Sequence, residues 1–272
     1  MTENHFVPDA LRPVNRGNGR FTASRTIVAL MLREMSTRYG DSPGGYLWTL
    51  LEPVGAIIVL SLAFSLIVIA PPLGNSFPLF YATGFLPFTF YQSLSLAVAS
   101  IIGFSRPLLM YPRVTWMDAL LARLLLNTLT SVMVAFIIIS GIFAIEDTPG
   151  VLRLGHILLA IFELILLSVG IGAMNCVISG LYPVWSQIWG IASRPLFLAS
   201  GVFFIYDSMA PVAQKVLWYN PLMHISGTIR SGFYINYEPQ YISHTYVIGV
   251  GLVLLSFGLL LMGRFHRDIL NR

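Results

Sequence analysis

Charge is the scarcest property of this chain. Of 272 residues, 10% are Asp, Glu, Lys or Arg and 56% are hydrophobic; mean hydropathy is +0.76. A soluble domain carries roughly 25% charged residues, so the composition belongs to the membrane class. One cysteine, Cys176, excludes a disulfide framework. Lysine also occurs once, at Lys215 after Gln214. A P-loop needs Gly-Lys-Ser/Thr to cradle phosphates, so the chain is not itself an ATPase. No Asp-x-Asp pair is present to hold a sugar-nucleotide metal ion, and His156, His224, His244 and His266 lack metal-ligand spacing. Ser179-Gly180 has Val177 where an intramembrane serine protease would want glycine. The first long apolar run begins only near Leu47, so no cleavable signal peptide is expected.

Long apolar runs are what the chain has in abundance. A spanning helix needs about 20 mostly apolar residues, and six such runs are expected at 47–70, 78–103, 119–145, 154–178, 187–206 and 245–263. The fold class expected is all-α integral membrane, with residues 1–46 as a cytoplasmic arm and 47–272 as one domain without internal repeat. Arginine placement sets the orientation. Arg12, Arg16, Arg20, Arg25, Arg33 and Arg38 precede the first run; Arg106, Arg113 and Arg123 flank the second loop; Arg264, Arg267 and Arg272 lie in the tail, 264–272. The opposite side holds Arg153, Lys215 and Arg230, partly offset by acids. Both termini are therefore expected in the cytoplasm.

Four features depart from plain spans. Segment 22–38 places Ile27, Val28, Leu30, Met31, Leu32 and Met35 on one face of a helix, which suits a headgroup-layer helix. It leads through "RYGDSPGGYLWTLLEP", 38–53, into the first span. Arginine forks suit phosphate and carboxylate, so Arg33 and Arg38, with Tyr39, Trp48 and Glu52, are the candidate substrate entrance. The loop "SRPLLMYPRVTWMD", 105–118, is unexpectedly apolar for a connection. Its Arg106, Pro107, Leu108, Leu109, Met110, Tyr111, Pro112 and Arg113 form a candidate docking helix for a soluble partner, with the turn at Tyr182-Pro183 as a second contact. Segment 207–240 carries two short helical patterns, about 211–218 and 222–234, divided by Asn220-Pro221. Neither is long enough to span, so re-entrant or interfacial half-helices on the outer side are expected, including His224 and Arg230. Tyr81, Phe85, Phe88, Tyr91 and Gln92 recur along the second run and are channel-lining candidates; an aromatic stripe of this kind is more often packing surface. Glu163 lies inside the fourth run, where an ionisable group needs a polar partner or water.

"TRYGDSPGGYLWTLLEP" after an arginine-bearing amphipathic helix, the six-span layout, the 105–118 loop and "YNPLMHISGTIRSGFY" at 219–234 together resemble the ABC-2 type exporter permeases. Within them the similarity is greatest to capsular polysaccharide export permeases of the group 2 capsule exporters. Many ABC-2 permeases carry an acid shortly after the histidine; here Ser226, Gly227 and Thr228 follow His224, so a role for that acid does not transfer. The resemblance implies a homodimer in a bacterial inner membrane, joined to two copies of a separate ABC ATPase. It also implies a periplasmic polysaccharide co-polymerase, an outer-membrane export channel and an acidic glycolipid cargo. It implies no cofactor, metal or nucleic acid. The alternatives are an ABC-2 permease for O-antigen, teichoic acid or a drug, or a polytopic glycosyl- or acyltransferase, against which the missing donor-site carboxylates argue.

Overall fold

A computed structural model describes residues 19–39, 45–109, 114–146 and 152–271. Among the described residues ten α-helices run in order: α1 Gly19–Tyr39, α2 Tyr46–Ser65, α3 Phe77–Ala99, α4 Ile101–Leu109, α5 Trp116–Glu146, α6 Leu154–Leu181, α7 Val184–Ala199, α8 Pro211–Leu217, α9 Pro221–Phe233 and α10 His244–Leu270. Among the described residues there is no strand.

Local chemistry starts the helices where the apolar runs begin. The Ser76 hydroxyl accepts the Leu79 N–H at 3.0 Å, with proline in the first turn of α3. Thr115 and Asp118 cap α5 reciprocally: Thr115 Oγ1 accepts the Asp118 N–H at 3.2 Å, and Asp118 Oδ2 accepts the Thr115 N–H at 3.0 Å. Asn220 Oδ1 accepts from Leu222 N–H ahead of Pro221, and Ser243 caps α10.

Helix α6 is the central post, packed against α10, α3 and α9. Small residues let the backbones close in. A Cβ on Gly172 would lie 2.7 Å from the Ser95 carbonyl oxygen, and one on Gly170 would lie 2.8 Å from the Leu255 nitrogen. Helix α5 packs on α3 and α1. Helices α1 and α4 and the C-terminal ends of α6 and α10 make up one face of the bundle, the near face; the opposite one is the far face.

Helices α2, α5, α6 and α10 are each long and apolar enough to cross a membrane. Helices α3 and α4 pass the same test jointly but are bent by 49° at Ser100. The second expected span, 78–103, is thus a bent pair rather than a straight rod. The first stops at Ser65, short of residue 70. The fifth, expected over 187–206, is helical only over Val184–Ala199, because Gly201 takes φ 75° and turns the chain. Among the described residues four helices, or five spans counting the bent pair, have the length and apolarity to cross a membrane, against the six expected.

Candidate substrate path and coupling surface

On the near face α1 lies against α5. Its Val28, Leu32 and Met35 point outward, at 53%, 60% and 37% exposure, as a stripe at i, i+4 and i+7. That stripe belongs to the apolar face expected from the sequence. The surface turned toward the protein carries Glu34, which is 5% exposed. Its carboxylate lies 3.2 Å from Arg123 Nε of α5. Arg123 also donates from one terminal nitrogen to the Ala97 carbonyl and to Ser100 Oγ, 2.7 Å away, and stacks over the Phe104 ring at 4.2 Å. The α3–α4 bend leaves carbonyls at the end of α3 without helical donors, and a cation there is favoured by the helix dipole as well. One guanidinium therefore joins α1, the bend and α5. Charge counting along the sequence had treated Arg123 only as a topological marker; its position about two turns inside an apolar helix was the available signal.

Of the entrance residues, Arg33 is half-buried beside Phe104 at 5.8 Å, while Trp48 (58% exposed) and Glu52 are open on α2. The side chains of Arg38 and Tyr39 lie outside the described residues, although both belong to α1. In the expected docking segment, Arg106, Pro107, Leu108 and Leu109 form the end of α4, and Leu109 packs against the core. Met110, Tyr111, Pro112 and Arg113 lie outside the described residues. Tyr182 and Pro183 are exposed at the α6–α7 turn on the same near face.

Much of the aromatic stripe of α3 is packed inside the single chain. Tyr81, Phe88 and Tyr91 are 1%, 5% and 2% exposed. Phe88 lies 4.9 Å from Phe197 of α7, and Phe85 faces the same ring edge-on. Aromatic rings of that size gain most from burial, and α7 offers them a partner face. Gln92 is exposed. Sequence reasoning passed over Arg194, which sits exposed on α7, a helix without a single buried residue.

On the far face, α9 is buried from Leu222 through Gly232. His224 is fully buried; Ser243 donates its N–H to Nδ1 at 3.2 Å, so Nε2 carries the proton and donates to the Trp218 carbonyl at 2.7 Å. Burial pushes this imidazole's pKa down, which favours the same neutral form. Arg230 donates to the Phe204 and Val202 carbonyls at 2.8 and 3.3 Å and lies over the Phe80 ring at 4.2 Å. It thereby fastens the chain that leaves α7. Gly84 makes room for it: a Cβ there would meet Arg230 at 2.9 Å and Val202 backbone at 3.0 Å. Tyr237 and Tyr241 lie near the guanidinium as neutral phenols, their pKa values raised by burial.

Glu163 of α6, 0% exposed, finds its polar partner in His244 Nδ1 at 2.8 Å. His244 also lines a polar cavity of about 260 Å³ with Arg153, His156, Gln240 and Glu238. An apolar cleft of about 280 Å³ lies between α3, α5, α6 and α9. Among the described residues no three His, Cys, Asp or Glu side chains are grouped to hold a metal.

The described residues are all helical, with four helices, or five spans counting the bent pair, long and apolar enough to cross a membrane, as in an integral membrane protein. A family model described as ABC-2 type transporter matches residues 25–234. The chain belongs to that family. It is 30% identical over 236 residues to the polysialic acid transport protein KpsM of Escherichia coli, covering 87% of this chain and 92% of the relative. It is 25% identical to the capsule polysaccharide export inner-membrane protein CtrC of Neisseria meningitidis serogroup B, and 24% identical to BexB of Haemophilus influenzae, of the same description. Both of those alignments cover 90% of this chain and 92% of the relative.

Proposed function

We propose that this chain is the transmembrane permease subunit of an ABC exporter that moves lipid-linked capsular polysaccharide across the bacterial inner membrane, with ATP hydrolysed by a separate subunit. The observation that carries the proposal is end-to-end similarity to capsule and polysialic acid transport proteins in a chain that has no P-loop of its own.

Two copies form the conduit. Helix α7 has no fully buried residue in the protomer and α2 has few; two-fold pairing would cover both and complete a path that a single copy cannot enclose. Within the dimer α7 acts as the fifth of six spans, and α8 and α9 act as re-entrant half-helices shaping the outer exit. Both termini are cytoplasmic. Residues 1–46 form the arm, and 47–272 form the membrane domain. The end of α4 with residues 110–113, together with Tyr182-Pro183, receives the ATPase. Arg33 and Arg38, beside Trp48 and Glu52, receive the acidic glycolipid from the inner leaflet. The route continues through a periplasmic co-polymerase and an outer-membrane channel.

Deleting the gene in its host tests this directly. Surface polysaccharide should disappear and lipid-linked polymer accumulate inside the cell, with the wild-type chain restoring export. Unchanged surface polysaccharide with loss of a different exported compound would replace the cargo.

A further inference from the structure

Two cavities flank the seam where α6 meets α9 at the far face, and they differ in character. Along α6, Leu154, Ile157, Ile161 and Leu164 line the apolar cleft, whereas Arg153 and His156 line the polar cavity. Helix α9 divides in the same way: Ile229 and Phe233 face the cleft, Thr228 and Ser231 the cavity. Between the two, the Arg153 N–H donates to the Gly232 carbonyl at 2.9 Å. Arg153 stands between Leu152 and Leu154, both cleft residues, and its guanidinium lies 3.3 Å from Glu238 in the cavity. An apolar trough and a charged recess thus share one rim.

The cleft has the form of a slot for one hydrocarbon chain. Helices α5 and α6 each pack on α3, and the slot separates them. Phe136 and Leu154 on its rim are exposed, so it opens sideways, toward the membrane. Leu154 to Leu164 is ten residues, about 15 Å of helix, which is half of a hydrocarbon core of about 30 Å. The slot therefore has the length of a single leaflet. Two of its three hydroxyls are already engaged: Thr83 donates to the Phe80 carbonyl at 2.9 Å, and Ser131 lies 3.5 Å from Ser93 Oγ. At about 280 Å³ the slot is too small for a helix, which is about 10–12 Å across. Helices α2 and α7, the ones that pairing would cover, contribute no lining residue. An unfilled slot of this kind forfeits dispersion contacts, and a lipid chain supplies them.

We propose that this is a binding site for a phospholipid of the far leaflet: one acyl chain lies in the cleft, and a zwitterionic phosphoethanolamine head sits over the rim in the polar cavity. Charge complementarity selects the head. Arg153 and Glu238 present a cation and an anion side by side, and Glu238 is exposed and engages Arg153 through Oε1 alone. A phosphate accepts from the guanidinium fork, and the ammonium donates to the carboxylate. An exposed ion pair contributes little by itself, so opening it to admit the head loses little. A phosphoglycerol head brings the phosphate without the ammonium and sets a like charge beside Glu238. The site does not depend on the export role proposed above; it requires only a membrane around α5 and α6.

Photo-crosslinking of the full-length chain with its ATPase provides the test. The probes are phosphatidylethanolamine and phosphatidylglycerol, each with a diazirine midway along one acyl chain. Each is supplied in vesicles, loosely held lipid is washed away in detergent, and the lipid retained is cross-linked by light and mapped by peptide mass. The ethanolamine probe should label residues 131–143 of α5 and 152–164 of α6, several-fold more strongly than the glycerol probe. Ala135→Phe, which places a ring in the cleft, should lower that labelling several-fold. Glu238→Gln should remove the preference between the two heads, and Arg153→Gln should weaken labelling by both. Labels spread evenly over the outward face of α10, equal labelling of the wild-type chain by the two probes, or undiminished labelling of Ala135→Phe overturns the proposal. So does recovery of polymer-linked lipid, rather than phosphatidylethanolamine, with the chain purified from polymer-making cells. If Ala135→Phe does not accumulate, the comparison of the two probes on the wild-type chain decides.

Discussion

Removing the Arg123 side chain should loosen the near face more than any other single truncation there. Arg123→Ala strips one guanidinium from three sites: the Glu34 carboxylate at 3.2 Å, the open end of α3, and the Phe104 ring. Both charged side chains are nearly solvent-free, at 6% and 7% exposure. Breaking such a buried pair from one side costs about 3–5 kcal/mol, because the carboxylate left behind is uncompensated. At about 2–4 °C per kcal/mol for a chain of this size, the thermal midpoint of the detergent-solubilised permease should fall by on the order of 10 °C. The double variant Arg123→Met/Glu34→Leu removes both charges and should recover most of that loss. Differential scanning fluorimetry on the three proteins is sufficient. A midpoint for Arg123→Ala within about 2 °C of wild type would refute the buried-pair reasoning. So would a double variant less stable than the single one.

Three further outcomes are expected. Gly84→Ala should cost about 1–3 kcal/mol of stability through overpacking and lower the midpoint accordingly, since its methyl group meets Val202 backbone as well as Arg230; a neutral Gly84→Ala would mean the turn after α7 yields freely. Leu109→Asp, at the end of α4, should abolish co-purification with the ATPase or uncouple its hydrolysis from export, and normal export by this variant would remove the docking role. Ser208→Cys in a Cys176→Ser background should be labelled by an impermeant thiol reagent from the periplasmic side, the side chain being exposed; labelling from the cytoplasm alone would reverse the orientation.

Much of this organisation was legible in the sequence, for physical reasons that vary by element. Long apolar runs fix α5, α6 and α10 because nothing else can be done with them. Asn220-Pro221 announces the start of α9, since the amide side chain and the proline ring both favour a first helical turn. Composition could not reveal which way a helix faces. The stripe through Tyr81, Phe88 and Tyr91 has the spacing of a lining and of a packing ridge alike; only the position of Phe197, over a hundred residues later, decides between them. The extent of α7 was hidden similarly, because Phe203 and Phe204 keep the run apolar after Gly201 has already turned the chain. Glu163 carried its own warning as a buried acid, but its partner His244 is 81 residues away. Arg123 was the most informative single residue, and it was easily lost inside a hydrophobic run.

Reconstitution tests the central claim most directly. Proteoliposomes containing this chain and its ATPase partner, supplied with lipid-linked acidic polysaccharide on the ATPase-bearing face, should move the polymer to the opposite face when ATP is added. Movement should stop when the permease is left out or ATP is replaced by a non-hydrolysable analogue. Polymer that stays on the loading face in the complete system, while the same vesicles hydrolyse ATP and export a different compound, would contradict the account.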